Sequence, residues 1–193
     1  MIPVGYMAKF RTPRPEWVKA QSYRVTDLSL LADLYSVSDC VQNRFEHFID
    51  DWQDGEVEPK NDYRLYDSPD MIRQLADRHG VDLTGRQLFF YEVYEQEYDE
   101  DDAQWYSFEP SFQTQGVVAP SMKTLEGYDV LSSGGWPNPG CSCWCIVNMA
   151  DETDEHWLLP SLERARRLLG DGQFDNSEPG PFRIFAVYSV GWR

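Results

Sequence analysis

Histidine is scarce in this chain, at three among 193 residues, and lysine plus arginine number 17 against 33 aspartates and glutamates. Few histidines mean few general bases and metal ligands at neutral pH. Few cations leave a formal charge of -16, which repels phosphate backbones and anionic membrane surfaces alike. Binding to nucleic acid or to a membrane is therefore not expected.

Common catalytic motifs are also missing. There is no Gly-x-Gly-x-x-Gly, no phosphate-binding loop and no His-Glu-x-x-His. Val187–Gly191 resembles a nucleophile elbow but lacks its first glycine. No stretch approaches the ~18 apolar residues of a membrane-spanning helix. Met1–Tyr6 lacks the basic start and apolar run of a signal peptide. The four cysteines (Cys40, Cys141, Cys143 and Cys145) are too few and too clustered for a secreted disulfide framework. These absences lead to a cytoplasmic assignment and no expected cofactor.

What is present is enough for a core. The sequence is 41% hydrophobic and 15% aromatic, and a chain of this length buries roughly 70% of its unfolded surface. No internal repeat or long linker divides it, so one domain over 1–193 is expected. Residues 1–26 form a basic stretch, with Lys9, Arg11, Arg14, Lys19 and Arg24 against Glu16 alone, and are expected to pack as an arm on the acidic body.

Val41, Phe45, Phe48, Ile49 and Trp52 recur at helical spacing. Ser68 followed by Pro69 is a helix start, because proline lacks only an amide that would be unpaired there. Gly80 ends that helix. A last helix carries Leu158, Leu162, Ala165 and Leu169 on one face, with Gly170 as its stop. Leu88–Tyr98 reads as a long strand, central in its first half, and Asp99–Asp102 as the tip of a hairpin that returns through Trp105–Phe108. Tyr63–Tyr66, Phe112–Ala119, Tyr128–Leu131 and Phe182–Val190 are further strand candidates. Without strict alternation of helix and strand, the fold class is α+β: a mixed, mostly antiparallel sheet of about five to seven strands with about three helices.

Three chemistries compete. Cys141, Cys143 and Cys145 offer soft ligands for zinc, with Cys40 or His156 to complete four. However, alternate residues of a strand lie about 7 Å apart at ~3.3 Å per residue, too far for easy chelation. Small buried side chains explain the cluster better. Cys40 at a helix start has the dipole a nucleophilic thiol needs, with His47, His79 or His156 as base. Paired carboxylates such as Glu92, Glu95, Glu97 and Glu109 could do hydrolytic acid–base work.

Set against all three is recognition. Residues 87–122 hold eight acids and no lysine or arginine. Tyr94, Tyr98, Trp105, Tyr106 and Phe108 flank the acidic tip. Rings beside carboxylates suit an arginine- or lysine-rich surface through stacking and ion pairs. The expected contact residues are Glu95, Glu97, Asp99, Asp101, Asp102, Tyr98 and Trp105, with Trp136 in its proline-flanked loop as a second surface. The competing explanations are a solvated charge run and cross-strand ring packing. The leading expectation is a non-catalytic interaction or inhibitory protein for a basic protein partner. Its general character is similar to that of immunity proteins that neutralise toxins, a likeness of composition alone.

Overall fold

The computed structural model describes residues 1–11, 61, 63–108, 116–133, 149, 151–175 and 179–192. Five strands, β1 (Ile2–Phe10), β2 (Arg86–Asp99), β3 (Gln104–Ser107), β4 (Thr124–Ser132) and β5 (Phe182–Val190), form one sheet in the order β1-β2-β5-β4. β3 pairs with the far end of β2, beyond the stretch that pairs with β1. Every pairing is antiparallel, so the expected mixed sheet is an antiparallel one. Two helices are described, α1 (Pro69–His79) and α2 (Leu162–Gly170), fewer than the three expected. The helix expected at 41–52 lies outside the described residues.

The sequence signals at α1 operate as physical chemistry requires. Ser68 accepts the Met71 amide at 3.3 Å, Pro69 opens the helix, and Gly80 closes it at φ 67°. At α2 two readings are corrected. Ser161 is the cap, so Leu158 precedes the helix; Gly170 is its last residue, and the left-handed position falls on Gly172 at φ 70°. Leu158 is buried all the same. A side chain can point into the core from an extended segment as well as from a helix, and periodicity alone does not separate the two.

Two strand candidates are also corrected. Around Tyr63–Tyr66 the Asn61 side chain accepts the amides of Tyr63 and Leu65, at 3.0 and 3.3 Å, and holds a turn. Only Tyr66 makes a bridge there. Within Phe112–Ala119, residues 116–119 are not strand, and 112–115 lie outside the described residues. The basic amino-terminal stretch begins as β1, at one edge of the described sheet with Lys9 buried, while residues 12–26 lie outside the described residues.

A repeat that the sequence did not disclose organises the sheet. Gly5 pairs with Tyr91, Tyr91 with Val187, and Val187 with Gly127, so one cross-strand row runs from glycine to glycine. Each glycine lies at a register shift of its strand. Each is followed by a tyrosine, Tyr6 or Tyr128, that exchanges two backbone hydrogen bonds with a returning segment, at Tyr66 or Leu159. A capping serine, a helix and a central strand follow in both halves. The two β–bridge–α–β units are thus related by a pseudo-twofold axis through the Tyr91–Val187 pair. The glycines are required by close approach: a Cβ at Gly5 would stand 2.6 Å from the Leu65 Cβ, and one at Gly127 2.6 Å from the Leu158 Cβ.

Hydrophobic burial follows the two halves. α2 places Ala165, Leu168 and Leu169 with Val130, Phe182 and Ile184. α1 places Ile72, Leu75 and Ala76 in a larger cluster with Leu88, Phe89 and Val190. β2 is buried throughout Leu88–Val93, and β5 is buried except at Tyr188 and Ser189. Solvent exclusion on both sides explains why those runs are mostly apolar.

Candidate functional site

The β2–β3 hairpin carries the acidic tip beyond the end of β1. Its register, Gln96 with Ser107 through Asp99 with Gln104, makes a tight ladder closed by Glu100–Ala103. Ala103 takes a left-handed φ of 52°, a local cost tolerated at a turn whose other contacts impose it.

Two of the acids build the tip. Asp99 accepts the amides of Asp101 and Asp102 at 3.0 and 3.4 Å, the local turn that a short carboxylate side chain favours. Glu100 accepts the Gly180 amide and fills the space where a Cβ of residue 180 would lie. Asp101 and Asp102 are left on the exposed surface. Asp102 also accepts the Tyr106 hydroxyl at 2.7 Å, and that bond, foremost among the causes, raises the tyrosine's pKa. The Tyr106 ring is 40% exposed.

The other rings are turned to structural use. Tyr98 is buried, 6% exposed, and desolvation raises its pKa. Trp105, half-buried, packs on Tyr98 at 5.2 Å and edge-on to Tyr94 at 6.0 Å. The Arg166 guanidinium of α2 lies 4.7 Å from the Trp105 ring centre and 5.4 Å from that of Tyr94. It also donates to the Tyr94 hydroxyl at 2.7 Å. The ring-and-cation chemistry read from the sequence is therefore present, but its cation comes from this chain. Sequence reasoning missed Arg166 because no local pattern links residue 166 to a hairpin ending at 107.

Of the two flanking glutamates, one is engaged and one is largely open. Glu97 pairs with the buried Arg183 at 3.1 Å, and Arg183 lies over the Phe108 ring at 4.1 Å. Glu95 is 63% exposed and meets the amino-terminal ammonium at 3.1 Å. The structure thus gathers Glu95, Asp99, Asp101, Asp102 and Tyr106 around one hairpin, and sends Tyr98 and Trp105 inward. Trp136 lies outside the described residues, as do Cys40, His47, Glu109 and the Cys141–Cys145 cluster.

The hydrolytic and metal readings find less. His79 is exposed at the end of α1, and His156 lies 3.5 Å from Glu155. Glu92 is buried and held by the Lys123 ammonium, which also lies 4.0 Å from the Tyr188 ring centre. Burial first, then the bond to Glu92, drives the Tyr188 pKa far above its ordinary value, so it keeps its proton. Among the described residues no three histidine, cysteine, aspartate or glutamate side chains are grouped to hold a metal ion. None of the described helices is long and apolar enough to cross a membrane. No family model matches the chain, and neither the curated proteins nor the solved structures contain a significant match.

Proposed function

We propose that this chain is a non-catalytic binding protein, of inhibitory or immunity-like type, that holds a basic protein partner on its acidic β2–β3 tip. The observation that carries the reading is the division of labour among neighbouring acids. Asp99 and Glu100 fasten the turn from inside, and Asp101 and Asp102 project from it. A surface already ordered loses less conformational freedom on association, so more of its interaction energy is available as affinity. A strongly acidic body raises the encounter rate with a basic partner, and salt screens that effect over about 10 Å at 0.1 M.

The test separates this site from the overall charge. Parent, Asp101→Lys/Asp102→Lys and the control Asp77→Lys/Asp151→Lys, which makes the same charge change at exposed positions elsewhere, are each used to capture proteins from native-cell lysate. A basic protein should be retained by the parent and the control and lost by the tip variant. Equal retention by both variants, equal loss by both, or no basic protein retained by the parent overturns the proposal.

A further inference from the structure

The end of the molecule away from the acidic tip carries a cavity of about 640 Å³. It lies where β5 ends at Val190, opposite Leu88 and about 35 Å from Asp99 at ~3.3 Å per residue of strand. Tyr6, Pro69, Val118, Met122, Val190 and Trp192 give it a mainly apolar lining. Val118 and Met122 at its rim are 75% and 81% exposed, far more than a chain leaves open in its core. Apolar cavities of ~300–1,000 Å³ with a few convergent polar groups are the usual form of a small-molecule site.

The pseudo-twofold axis indicates what chemistry fits. Tyr6, Pro69 and Val190 correspond to Tyr128, Leu162 and Tyr94 in the second half. There, Tyr128, Leu162 and Tyr94 pack against the second core cluster together with the Trp105 ring. The helix arginines correspond too: Arg166 stacks on Tyr94 and Trp105, and Arg73 lies 5.7 Å from the Trp192 ring centre. Each helix arginine thus meets an indole, and in the first half that indole, Trp192, walls an open cavity together with Tyr6. A flat aromatic group matches it in shape and polarisability.

One carboxylate sets the polarity. Asp67 lines the cavity, and one of its oxygens accepts from Asn61 at 2.9 Å. Its other oxygen faces Gly116, where even a Cβ would stand only 3.3 Å away. The start of α1 at Pro69 pulls the opposite way, but its macrodipole amounts to about half a charge against the full charge of a carboxylate. We infer that this cavity binds a small planar aromatic molecule bearing a cationic or strongly donating group directed at Asp67.

Tryptamine and indole-3-propionate share a ring and differ in charge, so they test the inference on the intact chain by amide chemical-shift titration. Tryptamine should perturb the amides of residues 67, 68, 116–119, 121, 122 and 190–192 and bind at least about tenfold tighter than indole-3-propionate, as a single favourable ion pair in a partly buried site gives. Trp192→Ala should abolish binding of both. Met122→Lys, at an exposed rim position that leaves the core intact, should weaken tryptamine at least about fivefold. Asp67→Asn should erase the preference. Equal affinity for the two probes, perturbation confined to Asp99–Asp102, or tryptamine binding unchanged in both Trp192→Ala and Met122→Lys overturns the inference.

Discussion

The two pseudo-symmetric halves share a backbone plan and differ in how they finish it. In both, a glycine bulge admits a returning segment, a serine caps a helix and an arginine of that helix meets an aromatic ring. In the second half the ring surface is completed within the chain by Trp105, which the β2–β3 hairpin delivers next to Arg166. In the first half Arg73 meets Trp192, and a cavity opens beside that ring. The same scaffold thus yields a sealed corner under the acidic tip and an accessible one at the opposite end. Rigidity under the tip and room at the far end are two outcomes of one packing plan.

The glycines offer the strongest way to break this correspondence. Gly5→Ala and Gly127→Ala should each destabilise by about 3 kcal/mol or more, since a Cβ would press on a leucine Cβ and a backbone oxygen that are themselves packed. Gly5→Ala should cost more, because φ of 143° adds backbone strain for any other residue. Urea unfolding midpoints measure both, and an unchanged midpoint for either would remove the close approach from the explanation.

The helix arginines sharpen the difference between the halves. Arg166→Ala removes contacts with two rings and a hydrogen bond, for an expected loss of about 1–2 kcal/mol. Arg73→Ala, which loses one ring contact and an exposed ion pair with Asp70, should cost about 0.5 kcal/mol. Thermal unfolding of the two variants side by side should show that order, and equal losses would mean that the two corners are equally closed.

The smallest expected effect is in the alkaline limb of stability. Burial raises the pKa of both equivalent tyrosines, Tyr6 and Tyr128, and raises that of Tyr188 most strongly. A raised folded pKa leaves the stabilising contribution intact below the unfolded value near 10. Above it, the unfolded tyrosine ionises while the folded one keeps its proton, so stability falls as pH rises. Tyr188→Phe should flatten that fall between pH 10 and about 11.5. Unfolding curves at fixed ionic strength across that window would show it, and an unchanged slope would contradict the burial account.

Legibility followed locality. α1, the long β2, the hairpin turn and the closing β5 were readable because a cap, a proline, a glycine or a run of β-branched and aromatic residues acts within a few positions. The internal repeat was not. Its halves share little more than Gly-Tyr at the bulge and Leu-x-x-Ser before the helix, and residues 11–68 separate strand from helix in one half against 133–161 in the other. The aromatic residues near the acids were legible as a group, but their direction was not. Tyr98 and Trp105 turn inward because α2, more than fifty residues later in the chain, supplies a surface to cover and an arginine to stack.

By itself, then, the amino-acid sequence determined the strong negative charge, the antiparallel-leaning α+β class, the best-capped helix and the position of the acidic turn. Those properties are sums over residues or consequences of neighbours, and need no distant contact. Tertiary structure alone decided that Asp99 and Glu100 would brace the turn while Asp101 and Asp102 stay outside, which corner an indole would close, and that two dissimilar segments would share one twofold plan. Each of these depends on residues far apart in the chain meeting at van der Waals distance, where shape rather than composition selects the arrangement.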